Sequence, residues 1–385
     1  MNIDFSNNLT SEQKAIKETV GLFAKDQIQP YAIEWDESNF FPKDVLKEAA
    51  KLGLAGIYIP EDKGGSGLSR LDAAIIFEEL AAACPSTSAF LSIHNMVGWM
   101  ISKFGSSDLR DKFLPSIISF DKICSYCLTE SNSGSDAASL KTNAIQQKDN
   151  KNLLVNGSKS FISGAGTSDV YLTMLKTNTD KKKEISCLLI EKDANGISFG
   201  KQEKKMGWKN QPTALVLFDD CLVSNKNIVG NYGEGFKIAM QGLAGGRINI
   251  ASCSLGAARF CIEKSLAYIK ERKQFGKYLK DYQSIQFKIA DMITELNAAR
   301  LIVHDAAKAI DKDLLELNIK SAMAKRFATD VCFKICNEAL QIHGGYGYLA
   351  DYGIEKMVRD SRVHQILEGT NEIMRVIISR EFLKE

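Results

Sequence analysis

Leu153-Leu154-Val155-Asn156-Gly157-Ser158-Lys159-Ser160-Phe161-Ile162 is the stretch on which the reading of this chain turns. Two apolar runs flank an Asn-Gly pair, the residues best suited to the positive φ angles of a tight hairpin turn. The stretch therefore predicts two strands joined at Asn156-Gly157. Val170 to Leu175 and Ile185 to Ile190 flank a lysine-rich turn and predict a second hairpin. Ala214 to Phe218 predicts one more strand. A small β domain over residues 122–230 follows.

Helical patterning lies on either side. Thr10 and Gln13 have capping-box spacing, and Ile16, Val20 and Phe23 follow on one helical face. Pro30 ends or kinks that helix. Pro60 to Ser69 is a glycine-rich loop; Leu71 to Ala83 is an apolar helix closed off by Pro85. Beyond Gly233, Ile285, Ile289, Met292, Leu296, Ala299 and Val303 recur at spacings of three and four, a helix-bundle seam. Asn249 to Lys270 is rich in Ala, Ser, Cys and Gly, which suits close helix packing, and Ile319 to Leu340 predicts another long helix. The fold class is α+β: an N-terminal helical domain (1–121), a central β domain (122–230) and a C-terminal four-helix bundle (231–385).

Composition narrows the function classes. The 385 residues are 45% hydrophobic and 25% charged, normal for a globular protein that can bury a core without staples. Lys+Arg at 49 against Asp+Glu at 47 leaves a net charge of +2, which supports neither a nucleic-acid partner nor a strongly acidic binder. No apolar run approaches the roughly 18 residues that span a bilayer. MNIDFSNNLTSEQK has no basic n-region or apolar h-region, and no arginine-rich, acid-poor transit character. The expected compartment is reducing: a bacterial cytoplasm, or the mitochondrial matrix if the chain is a processed one. Nine cysteines fit there as free thiols, because an odd number cannot all pair within one chain.

Common catalytic signatures are missing. The chain contains no G-x-x-x-x-G-K-[ST] loop, no G-x-S-x-G elbow and no G-x-G-x-x-G between a strand and a helix. His94, His304, His343 and His364 lack H-E-x-x-H spacing, so neither a zinc hydrolase nor a metal site is expected. Cys124 and Cys127 have C-x-x-C spacing, but with no second ligand pair nearby they read as apolar residues at a strand start. Cys332 and Cys336, at i and i+4, read as helix core.

Three segments carry more than a plain core needs. Tyr126 to Asp136 ends in a run of polar residues and glycine; it is either a surface loop or a set of N–H groups aimed at an anion or heterocycle edge. Gln341-Ile342-His343-Gly344-Gly345-Tyr346-Gly347-Tyr348 is either a helix C-cap or a place of close approach for another molecule. Gln365 to Arg375 places Glu368 between apolar residues and a glycine, with Thr370 able to cap the next helix. Glu368 is either a partly desolvated acid of raised pKa or a solvated acid near a helix N-terminus.

Together these segments resemble the acyl-CoA dehydrogenase family over essentially the whole chain. The resemblance rests on CLTE and SGSDAASL (Cys127 to Leu140), NGSKSFISGAG (Asn156 to Gly166), RKQFG (Arg272 to Gly276), QIHGGYGY and ILEGTNE (Ile366 to Glu372). It is strongest to the short branched-chain members, through GGRINIASCSLGAA (Gly245 to Ala258), HGGYGYLADY (His343 to Tyr352) and VRDSRVHQILEGTNE (Val358 to Glu372).

The resemblance implies FAD between the β domain and the bundle. Tyr126, Leu128, Thr129, Gly134 and Ser135 would run along the flavin, and Phe161, Ile162 and Ser163 would pack on its ring. Arg272, Phe275, Tyr282 and Gln283 would serve the diphosphate and adenosine part. Gln341, Ile342, His343, Gly344 and Gly345 would do so from a neighbouring subunit, making a homotetramer (a dimer of dimers) part of the site; Thr370, Asn371 and Glu372 would also touch FAD. Ser135, Ala244, Gly245, Gly246, Arg247, Glu368, Gly369 and Arg380 would contact the acyl-CoA.

The implied reaction takes a proton from Cα of the thioester at Glu368 while a hydride leaves Cβ for the flavin. The Glu368 backbone N–H and a flavin ribityl hydroxyl would polarise the thioester oxygen. Electrons would pass to electron-transferring flavoprotein. One family variant carries its base at the position of Gly246, which here cannot serve. Ser131-Asn132 replaces the family's frequent Pro-Gly, which predicts a less rigid flavin loop. Leu367 replaces a frequent aromatic residue beside the base, leaving room for a branch at C2 and predicting a substrate such as isobutyryl-CoA. A straight-chain butyryl-CoA dehydrogenase and an oxidase of the same fold are the alternatives.

Overall fold

The structure is a computed structural model that describes residues 9–179 and 182–383. Most of the N-terminal segment read above for a leader, and the centre of the lysine-rich turn, lie outside the described residues.

The N-terminal part is six helices: α1 (Ser11–Phe23), α2 (Ala32–Ser38), α3 (Lys43–Lys51), α4 (Arg70–Ala83), α5 (Pro85–Phe104) and α6 (Ser107–Ile118). The capping box forms: the Gln13 N–H donates to Thr10 Oγ1, and the Thr10 N–H to Gln13 Oε1, each at 3.2 Å. Pro30 sits in a one-turn 3-10 segment, Gln29–Tyr31, that separates α1 and its π-helical continuation from α2. Ser69 ends the glycine-rich loop and caps α4.

The β domain contains β1 (Cys124–Cys127), β2 (Asn143–Gln146), β3 (Asn152–Ser163), β4 (Val170–Thr179), β5 (Lys182–Glu191), β6 (Ile197–Phe199), β7 (Thr213–Ser224) and β8 (Ile228–Val229). They form one sheet in the order β6-β7-β3-β2-β4-β5-β8, with β1 beside β4. β4 and β5 make the second expected hairpin, and the strand expected at Ala214 to Phe218 is the longer β7.

The first hairpin does not form. β3 runs unbroken through Asn156-Gly157, and both of its halves pair antiparallel with β7, from Asn152↔Ser224 to Ser163↔Thr213. The Asn-Gly pair sits at a register shift between Val155 and Gly157: it makes a bulge, not a turn. Positive φ is still what the glycine supplies, at +138°, and a Cβ there would lie 2.7 Å from Thr142 Cα. A partner strand as long as β7 can bond both halves, so the chain continues straight. A second register shift, between Lys159 and Ile162, puts Phe161 at φ +58°.

The C-terminal part holds α7 (Gly235–Glu271), a short hairpin of β9 (Lys273–Gln274) and β10 (Lys277–Tyr278), α8 (Gln283–Asp311), α9 (Leu317–His343), α10 (Ile354–Arg362) and α11 (Asn371–Phe382). Of the expected seam, Ile289, Met292, Leu296, Ala299 and Val303 are buried and Ile285 is partly so. α7 is the axis of the molecule, packed against α4, α5, α8 and α9. Buried ion pairs tie the helices together: Arg259 of α7 donates to Glu79 of α4 at 2.7 Å, and Arg300 of α8 to Glu78 of α4 at 2.7 Å. Burial alone would raise the Glu78 pKa, but Arg300 outweighs it and holds the carboxyl at about 2. The nine cysteines are free thiols and all are buried. No helix among the described residues is long and apolar enough to cross a membrane.

Candidate active site

The turn between α10 and α11 builds the site around Glu368. Thr370 caps α11 by accepting the Ile373 N–H at 3.3 Å. Just before it, Glu368 has φ +56° and Gly369 φ +88°. A left-handed glutamate costs about 1–3 kcal/mol and persists only where its surroundings over-determine it. They do: Arg247 Nε donates to the Glu368 carbonyl at 3.3 Å, and Lys325 Nζ to the Gly369 carbonyl at 2.8 Å.

This backbone aims the carboxyl at α7. Were Gly246 to carry a Cβ, it would lie 2.5 Å from Glu368 Oε2, so the glycine leaves the space the carboxyl fills. The residue keeps part of its surface exposed, but Oε2 itself is sealed and has no hydrogen-bond partner. Desolvation pushes the carboxyl up to about 7, with Arg247 and Lys325 pulling the other way. The buried Tyr126 hydroxyl also lacks a partner, and its phenol is raised by burial and by Glu368. Among the described residues the Glu368 N–H meets no acceptor either. Two unpaired buried oxygens, Glu368 Oε2 and the Tyr126 hydroxyl, mark a place for a polar ligand.

Sequence reading missed the opposite wall. Asn249 donates to the Tyr58 hydroxyl at 3.3 Å, and the Arg70 guanidinium lies 3.6 Å from the Tyr58 ring centroid and 4.7 Å from that of Trp99. The buried Lys325 also escaped notice, because a lone lysine in a helix reads as a solvated face.

The loop after β1 lies beside this site. Leu128 is buried and Thr129 partly so; Gly134 and Ser135 are exposed. Glu130 and Ser133 close the Ser131-Asn132 turn with two backbone hydrogen bonds of 3.1 Å. The Glu130 carboxylate accepts from the N–H groups of Lys141 (2.6 Å) and Thr142 (2.9 Å) and from Lys159 Nζ (2.8 Å). Lys159, fully buried, also donates to the Leu128 carbonyl at 3.0 Å. The expected looseness at Ser131-Asn132 is therefore countered by a buried ion pair underneath.

Burial raises Glu130, but Lys159, Thr142 and Lys141 override it and hold the carboxyl at about 2. Its folded pKa lies below the ordinary 4.5, so this contribution is present above pH 4.5 and fades as pH falls towards 2. Lys159→Met is expected to destabilise the fold by about 3–5 kcal/mol, since it strands a buried carboxylate. Thermal unfolding at pH 7 and at pH 3 checks this, with the deficit shrinking at the lower pH.

Phe161 stands on the β3 bulge, 69% exposed at φ +58°, and the Ser160 N–H behind it donates to the Thr129 carbonyl at 2.8 Å. Ile162 is buried, and Ser125 Oγ donates to the Ser163 carbonyl at 2.5 Å. A strained backbone that presents an aromatic ring beside the Thr129 loop suits a flat ring stacked on it. These residues fit the isoalloxazine that the resemblance implies.

The remaining expected cofactor residues gather elsewhere. Arg272, Ile342, His343, Gly344 and Gly345 line one cavity of about 360 Å³ together with Tyr268, Gln274, Leu279, Tyr346 and Leu349. His343 stacks on Tyr268 at 4.4 Å between centroids, and Arg272 lies 5.3 Å from the Tyr346 ring centroid. Phe275 is 95% exposed at the tip of the β9–β10 hairpin, Tyr282 donates to the Gln274 carbonyl at 2.6 Å, and Gln283 and Gln341 are exposed nearby in the chain.

This cavity lies at the C-terminal end of α7. Arg272 follows Gly246 by 26 residues, which at ~1.5 Å per residue is about 39 Å of helix. Arg272 shares its cavity with residues 342–345, far along the helix axis from Glu368.

Among the other expected residues, Ala244, Gly245, Gly246 and Arg247 are buried on α7, whereas Arg380 is exposed near the end of α11. Asn371 turns inward, bonded to Lys325, Thr329 and Asp330, and Glu372 is exposed. Asn371 thus acts as a clamp in this chain, its amide already engaged. Cys124 and Cys127 lie buried in β1, and desolvation raises both thiols, Cys127 to about 12.

Comparison with known proteins matches three family descriptions along the chain. They are acyl-CoA dehydrogenase N-terminal domain (residues 10–121), middle domain (125–221) and C-terminal domain (233–383). The mitochondrial isobutyryl-CoA dehydrogenase of Bos taurus is 52% identical over 383 residues, covering 100% of this chain and 92% of the relative. The structure of butyryl-CoA dehydrogenase from Megasphaera elsdenii superposes with a TM-score of 0.94 at 35% identity, over 99% of this chain and 100% of that one. An acyl-CoA dehydrogenase from Bacillus anthracis, solved in complex with FAD, superposes with a TM-score of 0.92 at 33% identity, over 98% of this chain and 67% of that one.

Proposed function

The chain belongs to the acyl-CoA dehydrogenase family, and from that premise we propose that it oxidises a short, 2-methyl-branched acyl-CoA, isobutyryl-CoA foremost, to the enoyl-CoA. The observation that carries this reading is the Glu368 carboxyl, desolvated over Gly246 with no partner for Oε2. FAD, when bound, supplies the hydride acceptor; Phe161, Ser163 and the Tyr126 to Ser135 loop would hold its ring.

The chain's own groups do the rest. Glu368, with a pKa near 7, is ionised often enough to accept the Cα proton and basic enough to keep it. A thioester α-proton is too weakly acidic to leave unassisted. The unengaged Glu368 N–H is therefore placed to polarise the thioester oxygen. Arg247, bonded to the Glu368 carbonyl, holds that N–H in position. The partly buried Leu367 packs towards the core beside the base, which supports room for the methyl branch.

One methyl in a pocket is worth about 1–3 kcal/mol, so the expected kcat/KM favours isobutyryl-CoA over butyryl-CoA by about tenfold or more. A clear preference for butyryl-CoA overturns the branched reading and favours a straight-chain enzyme. We further propose electron-transferring flavoprotein as the oxidant, within valine or other branched-chain breakdown. Stopped-flow reoxidation in air is expected to be slow; fast reoxidation marks an oxidase. The second residue cluster, along α7 from Glu368, supports a homotetramer in which each chain completes a neighbour's FAD site.

A further inference from the structure

We propose that Lys325 is a positioning residue for the base: it holds the left-handed turn at Glu368-Gly369 and sets the charge balance around the carboxyl. The proposal rests on the reading of Glu368 given above. Lys325 lies on α9 and is completely buried. A buried ammonium is costly unless it is paired or fully hydrogen-bonded. Lys325 forms no ion pair with a carboxylate among the described residues; its Nζ donates to the Gly369 carbonyl at 2.8 Å and to Asn371 Oδ1 at 2.9 Å.

Those two acceptors lie at the end of the turn and just beyond it. The Asn371 amide donates in its turn to Thr329 Oγ1 at 2.9 Å and to Asp330 Oδ1 at 2.7 Å, and Asp330 Oδ1 also accepts from Gln365 at 2.8 Å. Gln365 and Asn371 are thus tied to the same stretch of α9, and residues 366–370 are strung between them. Within that span, among the described residues, Lys325 alone hydrogen-bonds in from α9, to the Gly369 carbonyl. Without it, the positive φ angles of Glu368 and Gly369 lose a restraint, and the carboxyl is free to leave its place over Gly246.

Charge adds a second role. The groups that face Glu368 are Arg247 from α7, Lys325 from α9, Tyr126 from β1 and Tyr58 from the loop before α4. His364, close to Lys325, is neutral: burial lowers its pKa to about 3, and its Nδ1 is bonded to Ser254 Oγ at 2.7 Å. Lys325 and Arg247 are therefore the cations that favour the ionised base. Burial brings Lys325 itself down to about 7, so it and Glu368 titrate in one window and the apparent values belong to the pair.

The test is Lys325→Met in the FAD-loaded enzyme, read by single-turnover flavin reduction with isobutyryl-CoA between pH 5 and 9. The acid limb of the rate profile is expected to move up by about 1–3 units, the size of an opposite charge's effect on a nearby carboxyl. The rate at pH 7 is expected to fall at least tenfold with substrate affinity nearly unchanged. Lys325→Arg, which keeps the charge, is expected to return the limb towards its wild-type position. A Lys325→Met enzyme with the wild-type limb and rate overturns the proposal, because a merely structural lysine would not move the limb.

Should that variant fail to fold, Asn371→Ala loosens the same clamp while leaving the lysine in place. It is expected to lower the rate, and an unchanged rate overturns the positioning role. Wild-type enzyme that no acyl-CoA can bleach would instead end the functional reading itself, so the two failures are distinct.

Discussion

Glu368→Gln is expected to take up FAD and bind acyl-CoA normally, yet to reduce its flavin about 10²–10⁴-fold more slowly, the usual worth of a positioned general base. Stopped-flow bleaching at saturating substrate measures the rate, and ligand-induced spectral shifts measure binding. Near-normal bleaching would show that another group takes the proton. The pH dependence sharpens the test. The wild-type rate is expected to rise through about pH 7 as the carboxyl ionises, whereas the amide variant has no such limb.

Stability should move the other way. The folded pKa of Glu368, about 7, lies above its ordinary 4.5. Burial therefore favours the protonated form. The contribution to stability is whole below pH 4.5 and is lost as pH rises through 7. Glutamine never ionises, so at pH 8 the variant is expected to be the more stable protein, by at most about 3 kcal/mol. Thermal unfolding at pH 5 and pH 8 reads this directly: a gap that opens only at the higher pH marks a carboxyl desolvated by design of its site.

Gly246→Ala is expected to cost about 10²-fold in flavin reduction, the scale of a misplacement of about 1 Å in a reacting group. The new methyl would lie 2.5 Å from Glu368 Oε2 and 2.9 Å from its Cδ. The clash falls on the free end of a flexible side chain, so the carboxyl swings aside and the fold survives. Alanine is better than glycine within a helix by about 1 kcal/mol, which further separates activity from stability. FAD content and melting temperature close to wild type, beside a slow reduction step, are the expected pair of results. Undiminished reduction would mean that the working carboxyl does not sit over α7.

Much of this was legible because helix burial is a local code. The seam from Ile289 to Val303 repeats every three or four residues whatever lies opposite, and it is buried as its spacing predicts. Glu368 is singled out by the family resemblance of Ile366 to Glu372, because an acid at a helix start fits a solvated residue as well as a desolvated base. Asn156-Gly157 was misread for the converse reason. Its positive φ is a local property shared by turns and bulges, but which of the two forms depends on β7, more than fifty residues along the chain.

The buried lysines fall in the same class. Lys159 is paired with Glu130 across 29 residues and Lys325 bonds the Gly369 carbonyl across 44, and no local pattern marks either. By itself, then, the chain determined its helices and the presence of a sheet between them, since each follows from neighbours in sequence. Tertiary structure alone decided that one strand bulges instead of turning, that Lys159 and Lys325 leave water, and that Arg272 and residues 342–345 share a cavity far along α7 from Glu368. Those outcomes depend on which distant groups meet, and only the folded chain brings them together.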